Sequence, residues 1–188
     1  LRFGHSIRLR VDSPEQLADL LARGPTPTDV GANTYIRRPD IPPPDPMKPS
    51  GPYVGFGDAT LQWLGVPEDN GQWGEGITVA VLDSGIDAHP CLDGVRVSRL
   101  DILPGGEALA AADRRHGTAV ASIVAGRSGA VRGIAPAASI LDIPVMRDGG
   151  TGDAFTLAKG IVAAVDAGAR VVSICVAGYG DTGILRRS

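Results

Sequence analysis

The sequence predicts an α/β fold: a mainly parallel sheet with helices on both faces, three layers deep and incomplete in this chain. Three observations carry this. The runs "ITVAVLD", "SILDIPV" and "ARVVSICVAG" are apolar almost without interruption, as strands are when both faces are buried. Between them lie "HGTAVASIVAG" and "AFTLAKGIVAAVDAG". These place apolar residues at helical spacing and close on Gly126 and Gly168, the residue type favoured just past a helix end. Strand and helix alternate, which is the pattern of a parallel sheet covered on each side.

The elements fall into three regions. Residues 1–24 read as a strand–helix extension or the remnant of a propeptide. "SIRLRV" alternates, and "SPEQLADLLARG" carries Ser13 as N-cap, Pro14 at the first helical position and Gln16 three residues past the cap. Residues 25–56 read as a linker or a strap along a surface, because nine of the fifteen prolines lie between Pro25 and Pro52. Proline at that density opposes helices and sheet ladders. Residues 57–188 hold the apolar strands and the helices between them. They open on the short amphipathic helix "DATLQWLGV".

Bulk properties exclude several classes of function. The 188 residues carry a net charge of −3, so there is no basic footprint for nucleic acid. No apolar run reaches the roughly 18 residues of a membrane span. Two cysteines, Cys91 and Cys175, make no disulfide framework. The first residue is Leu1, and "LRFGHSIRLR" lacks the apolar centre of a signal peptide. The expectation is therefore a chain trimmed at its start, with the compartment left open.

The stretch "ITVAVLDSGIDAHP" poses a chemical question, because a strand built for burial ends on the carboxylate of Asp83. In open parallel sheets, sites form outside the carboxyl ends of the strands. Ser84 and Gly85 then turn the chain, so Asp83 is held rigidly. His116 stands at the start of the helix "HGTAVASIVAG", 33 positions on, with Gly117 for close packing and Thr118 for a first-turn hydroxyl. A carboxylate that accepts the Nδ1 proton of an imidazole fixes its tautomer and stabilises the imidazolium. Asp87, His89 and Asp93 form an Asp-x-His cluster too sparse for a metal site, and read better as a polar turn.

With these residues, the chain from about Gly57 to Gly178 resembles the subtilisin-like serine peptidases, the subtilases. "GEGITVAVLDSGIDAHP" is similar to their aspartate block and "HGTAVASIVAG" to their histidine block. "GIAPAASILDIPVMRDGGTG" and "VVSICVAGYG" are similar to the two segments that follow. The resemblance implies a subtilisin-like fold, with 57–188 as the N-terminal half of the catalytic domain. It also implies serine endopeptidase activity with Asp83 as orienting acid and His116 as general base. Substrate, a peptide or protein, would pair with Gly150, Thr151 and Gly152 on one side and with Val176, Ala177 and Gly178 on the other. No cofactor is required. A structural calcium belongs to the family, but Cys91 stands where its aspartate is usual, and a hard cation wants oxygen ligands. Most relatives act outside the cytoplasm, which favours an extracellular setting.

Two parts of the family pattern are missing. No downstream serine stands on a glycine-rich helix start: Ser122, Ser128, Ser139, Ser173 and Ser188 fall in helix, loop, strand or terminal positions. The asparagines, Asn33 and Asn70, both precede Asp83, so no oxyanion asparagine follows. The expectation is that the nucleophilic serine and the asparagine come from a C-terminal fragment of the same precursor. The alternatives are an inactive peptide-binding or assembly module, and Cys175 as a replacement nucleophile.

Overall fold

In the computed structural model of the chain, the described residues are 8–23, 33–38, 57–103, 114–128, 131–147 and 150–178. The strands of the first sheet are β2 (Thr78–Asp83), β3 (Val97–Arg99), β4 (Ser139–Pro144) and β7 (Val171–Ile174). They lie in the order β3-β4-β2-β7 and all pair in parallel. The sheet that the apolar runs predict is therefore present. β3 was not among the predicted strands; it is short, fully exposed and apolar only at Val97, so it carries no periodic signal.

Side chains alternate across β2 and build two cores. Val79 and Val81 face helix α3 (Arg115–Ala125), with Ala121, Ala125 and Ile140. Ala80 and Leu82 face the other way, toward α4 (Ala154–Asp166), with Ile143, Leu157 and Ala164. Each helix supplies small residues at its contact face, which lets it lie close to the strands. α4 ends as predicted. Ala167 is the C-cap, and Gly168 follows at φ 80, where a side chain would be strained.

The third apolar run departs from expectation. β7 is not buried on both faces: Val171 is 51% and Ile174 40% exposed. It pairs with β2 on one side, and among the described residues its other edge carries no strand.

At the N-terminal end, α1 (Pro14–Arg23) forms where predicted. The Gln16 amide donates to Ser13 Oγ at 3.2 Å, and Gln16 Oε1 accepts from the Asp12 amide at 2.7 Å. These are the reciprocal bonds of a capping box, displaced by one residue. Residues 8–11 are not a strand, contrary to the alternation read there, and among the described residues no strand pairs with them. The start of that run, Ser6 and Ile7, and the stop glycine Gly24 lie outside the described residues. α2 (Asp58–Trp63) matches the predicted short helix and buries Leu61.

A second sheet contains β5 (Met146–Arg147), β6 (Thr151–Asp153), β1 (Tyr35–Arg37) and β8 (Ala177–Gly178), in the order β5-β6-β1-β8. β1 comes from the proline-rich region. Between Pro27 and Pro39 that region has no proline, and its "TYI" is rich in residues that favour strands. Density averaged over the whole region conceals this window.

Candidate active site

Asp83 ends β2 and is 1% exposed. Its carboxylate accepts the Ser84 amide at 2.6 Å, and its carbonyl accepts the Val145 amide at 2.9 Å. Gly85 follows at φ 98, which aims the chain at the start of α3. Three contacts fasten that helix to the turn, and a fourth closes its first turn. The Asp87 amide donates to Thr118 Oγ1 (3.0 Å), and Thr118 Oγ1 donates to Arg114 O (2.9 Å). Arg114 pairs with Asp87 at 3.1 Å. The Gly117 amide faces Ser84 Oγ at 3.4 Å.

His116, the second residue of α3, thereby meets Asp83. Its Nδ1 lies 2.9 and 2.8 Å from the two carboxylate oxygens. The imidazole is 33% exposed and the carboxylate 1%. A buried carboxylate on Nδ1 leaves Nε2 as the ring's working nitrogen and favours a proton on Nδ1. Among the described residues no serine or thiol bonds to His116. Ser122 turns its hydroxyl onto Ala119 O at 2.7 Å inside α3. Cys175 is half-buried, with Ser173 Oγ 4.0 Å from its sulfur.

The predicted groove residues come together around a strand that sequence reasoning missed. β1 runs antiparallel between the two predicted segments. Ile36 stands opposite Gly152 on one side and Gly178 on the other, and Arg37 stands between Thr151 and Ala177. The Arg38 amide donates to Gly150 O at 3.2 Å, and the Ala154 amide donates to Thr34 O at 2.9 Å. A Cβ on Gly152 would come within 3.1 Å of the Ile36 side chain, so this close approach uses the absence of a side chain. Val176 does not join the pairing; it packs against the core below. Ile36 is 3% exposed while Tyr35 is 82% exposed. Asn33 was noted at first only as lying upstream of Asp83. It lies beside this strand and donates to Asp153 Oδ1 at 3.1 Å. The other asparagine, Asn70, is buried and locks the 133–134 loop through bonds of 2.9 and 3.0 Å.

Asp153 is a second functional candidate the sequence reading passed over. It is the N-cap of α4 and accepts the Thr156 amide at 2.9 Å. The signal was present as an aspartate followed three residues later by a threonine at the head of an apolar run. Burial pushes its pKa up, but the Thr156 bonds, the Asn33 amide and the Arg8 charge outweigh this and hold it below the ordinary value.

Asp142, in β4, lies behind the Asp83 turn. Its Oδ2 accepts the Ile86 amide at 3.2 Å and Arg99 Nη1 at 3.3 Å. Its Oδ1 is buried and has no hydrogen-bond partner among the described residues. Burial raises its pKa from the ordinary 3.8 to about 6, against the Ile86 bond and the charges of Arg99 and Arg114. The folded chain thus holds this proton more tightly than the unfolded chain does. Stability from this group is full below about pH 4 and is lost as pH rises to about 6, by on the order of 3 kcal/mol. Asp142→Asn is expected to flatten that part of the profile, read as urea midpoints of both chains at pH 4.5 and pH 7. Parallel profiles would refute it. Asp153 acts with the opposite sign and below pH 4, so the windows separate.

The Asp87, His89 and Asp93 turn is polar packing. Asp87 pairs with Arg114, and His89 Nδ1 accepts the Cys91 amide at 3.2 Å. Cys91 is buried with its Sγ 2.8 Å from that nitrogen. Among the described residues no three His, Cys, Asp or Glu side chains converge.

The chain is similar to known proteins. A sequence profile described as the Subtilase family matches residues 74–183. Thermitase of Thermoactinomyces vulgaris is 34% identical over 116 residues, 59% of this chain and 41% of thermitase. The minor extracellular protease Vpr of Bacillus subtilis (strain 168) is 34% identical over 144 residues, 68% of this chain and 16% of Vpr. Among solved structures, fervidolysin from Fervidobacterium pennivorans, a keratinolytic enzyme related to subtilisin, superposes with a TM-score of 0.58 at 30% identity. That match covers 68% of this chain and 21% of fervidolysin. A mutant of the protease domain of PatA gives 0.52 at 35% identity, covering 61% of this chain and 45% of that one. The chain spans less than half the length of each of these relatives, and it belongs to the Subtilase family.

Proposed function

We propose that this chain is the Asp–His half of a serine endopeptidase. Asp83 orients His116; His116 takes the proton of an attacking serine and returns it to the leaving amine. That serine and the oxyanion asparagine are supplied by polypeptide beyond these 188 residues, from the same precursor. No cofactor takes part. Residues 57–188 form the N-terminal half of the catalytic domain, and 1–56 an extension that reaches it. The observation that carries the reading is the 2.8 Å Asp83–His116 pair at the carboxyl ends of β2 and β4. On the same side of the sheet, the ends of β4 and β7 lead into β6 and β8, the two segments that pair with the extended strand β1.

The open edge of β7 supports a second polypeptide. Beside it runs an apolar groove of about 460 Å³ lined by Ile77, Val79, Val124, Ile134, Ala138 and Val172. An unpaired apolar strand is a template for another strand. A continuation of the sheet along β7, with a helix over this groove, would cover both. The absence of a serine on a nucleophile turn also fits a peptide-binding module, in which the groove binds without cutting.

The test is intact mass under denaturing conditions, before and after a fluorophosphonate probe. A second polypeptide that takes the label supports the peptidase. A lone 19.3 kDa species that takes none, yet binds peptide, refutes it in favour of the module.

A further inference from the structure

The groove does more than pair backbones with its occupant. The first amides of a helix have no acceptor within the helix. In α4 the Ala154 amide is satisfied by Thr34 O (2.9 Å) and the Phe155 amide by Asn33 Oδ1 (2.9 Å). The other end of the same carboxamide donates to Asp153 Oδ1 at 3.1 Å. The Asn33 side chain is thus read at both ends, its oxygen by a backbone donor and its nitrogen by a carboxylate. A carboxamide carries its acceptor and its donors on separate atoms, which matches this pair of partners. Three residues on, Ile36 fills the apolar position at 3% exposure, while Tyr35 between them points to solvent at 82%. The other oxygen of Asp153 accepts Thr156 Oγ1 at 3.1 Å and Arg8 Nη1 at 3.0 Å, and the Arg8 guanidinium lies 5.6 Å from the centre of the Phe155 ring.

We propose that Asp153 and the Phe155 amide form a specificity subsite for a carboxamide side chain three residues ahead of an aliphatic anchor, and that residues 33–38 are the chain's own occupant of it. This rests on the peptide-groove reading above. The substrate class is an extended peptide with the pattern Asn-x-x-Ile or Asn-x-x-Val, where the β-branched residue takes the place of Ile36. An aspartate in place of the asparagine is rejected, since it sets two carboxylates against each other and removes one of the two donors to Asp153 Oδ1, leaving the Thr156 amide alone there. The subsite lies at the opposite end of the strand from the Arg38–Gly150 contact.

Two experiments on the 188-residue chain test this. In cis, amide exchange is followed at Arg38 and Ala154, which bond to the groove through backbone alone. Asn33→Ala and Ile36→Ala are each expected to speed exchange at both amides at least tenfold. Tyr35→Ala and the core amides of β2 stay unchanged. In trans, the Ile36→Asp chain, whose own strand cannot bury a charge, is titrated with fluorescent Asn-Thr-Tyr-Ile-Arg-Arg. Replacing the peptide's asparagine by alanine is expected to weaken binding roughly ten- to hundredfold, the worth of hydrogen bonds that include a charged partner. Replacing its tyrosine by alanine changes little. Equal binding of the asparagine and alanine peptides overturns the subsite and leaves the groove standing. Binding of no hexapeptide overturns both. Unchanged exchange in Asn33→Ala overturns the subsite even if the Ile36→Asp chain fails to fold.

Discussion

In the complete enzyme, His116→Ala is expected to lower kcat by on the order of a million-fold, as loss of the general base does in triads of this type, with the fold retained. His116 is one-third exposed, and its side chain bonds only to Asp83 among the described residues. No core contact is lost on truncation. Asp83 keeps the Ser84 amide at 2.6 Å, so its carboxylate is not left wholly bare. Asp83→Asn tests the same pair from the other side. An asparagine offers a donor to Nδ1 and so places the ring proton on Nε2, the nitrogen that must accept. A loss of about ten-thousand-fold is expected, with KM near unchanged. The checks are kcat on a peptide amide substrate and the urea midpoint of each variant. Activity within tenfold of the parent in either variant would sink the assignment of Asp83 and His116.

The pairing of these two residues was legible because each sits where the sequence marks an element boundary. Asp83 closes an apolar run and is followed by glycine, and His116 opens a helix whose Gly117 and Thr118 announce a tight approach. The structure bears out both marks: Thr118 Oγ1 takes the Asp87 amide, and Gly117 packs on Gly85. Local pattern reports such features because the causes are local. β1 and Asp142 were not legible, for the opposite reason. β1 is three residues long, and its existence depends on two edges contributed by residues more than a hundred positions away. Asp142 interrupts "SILDIPV" as its one charged residue. Only the fold reveals that Ile86 and Arg99 meet it there. β7 illustrates a third case. Its sequence correctly signals a strand meant for burial, yet nothing described covers its outer edge.

Among the described glycines, Gly117→Ala is expected to add the most damaging single methyl group. A Cβ at position 117 would overlap Gly85 O and lie 3.1 Å from its carbonyl carbon. Both are backbone atoms, so no side chain can swing aside. The Gly85 turn cannot yield easily either. It is pinned from below by the Ile86 amide on Asp142 and from above by the Asp87 amide on Thr118. α3 must therefore move away from the turn, and His116, the adjacent residue, moves with it. Overpacking of this kind costs about 1–3 kcal/mol, and a displacement of about 1 Å at a catalytic group costs on the order of a hundredfold in rate. Urea denaturation and kcat should both report it, and the Nδ1 proton resonance of His116 should move upfield as its bond to Asp83 lengthens. Ala119→Gly, on the exposed side of the same helix, is the contrast. It should lose about 0.5–1 kcal/mol through helix propensity with kcat unchanged. If Gly117→Ala behaved like Ala119→Gly, the contact between α3 and the Asp83 turn would not be what holds the histidine to its carboxylate.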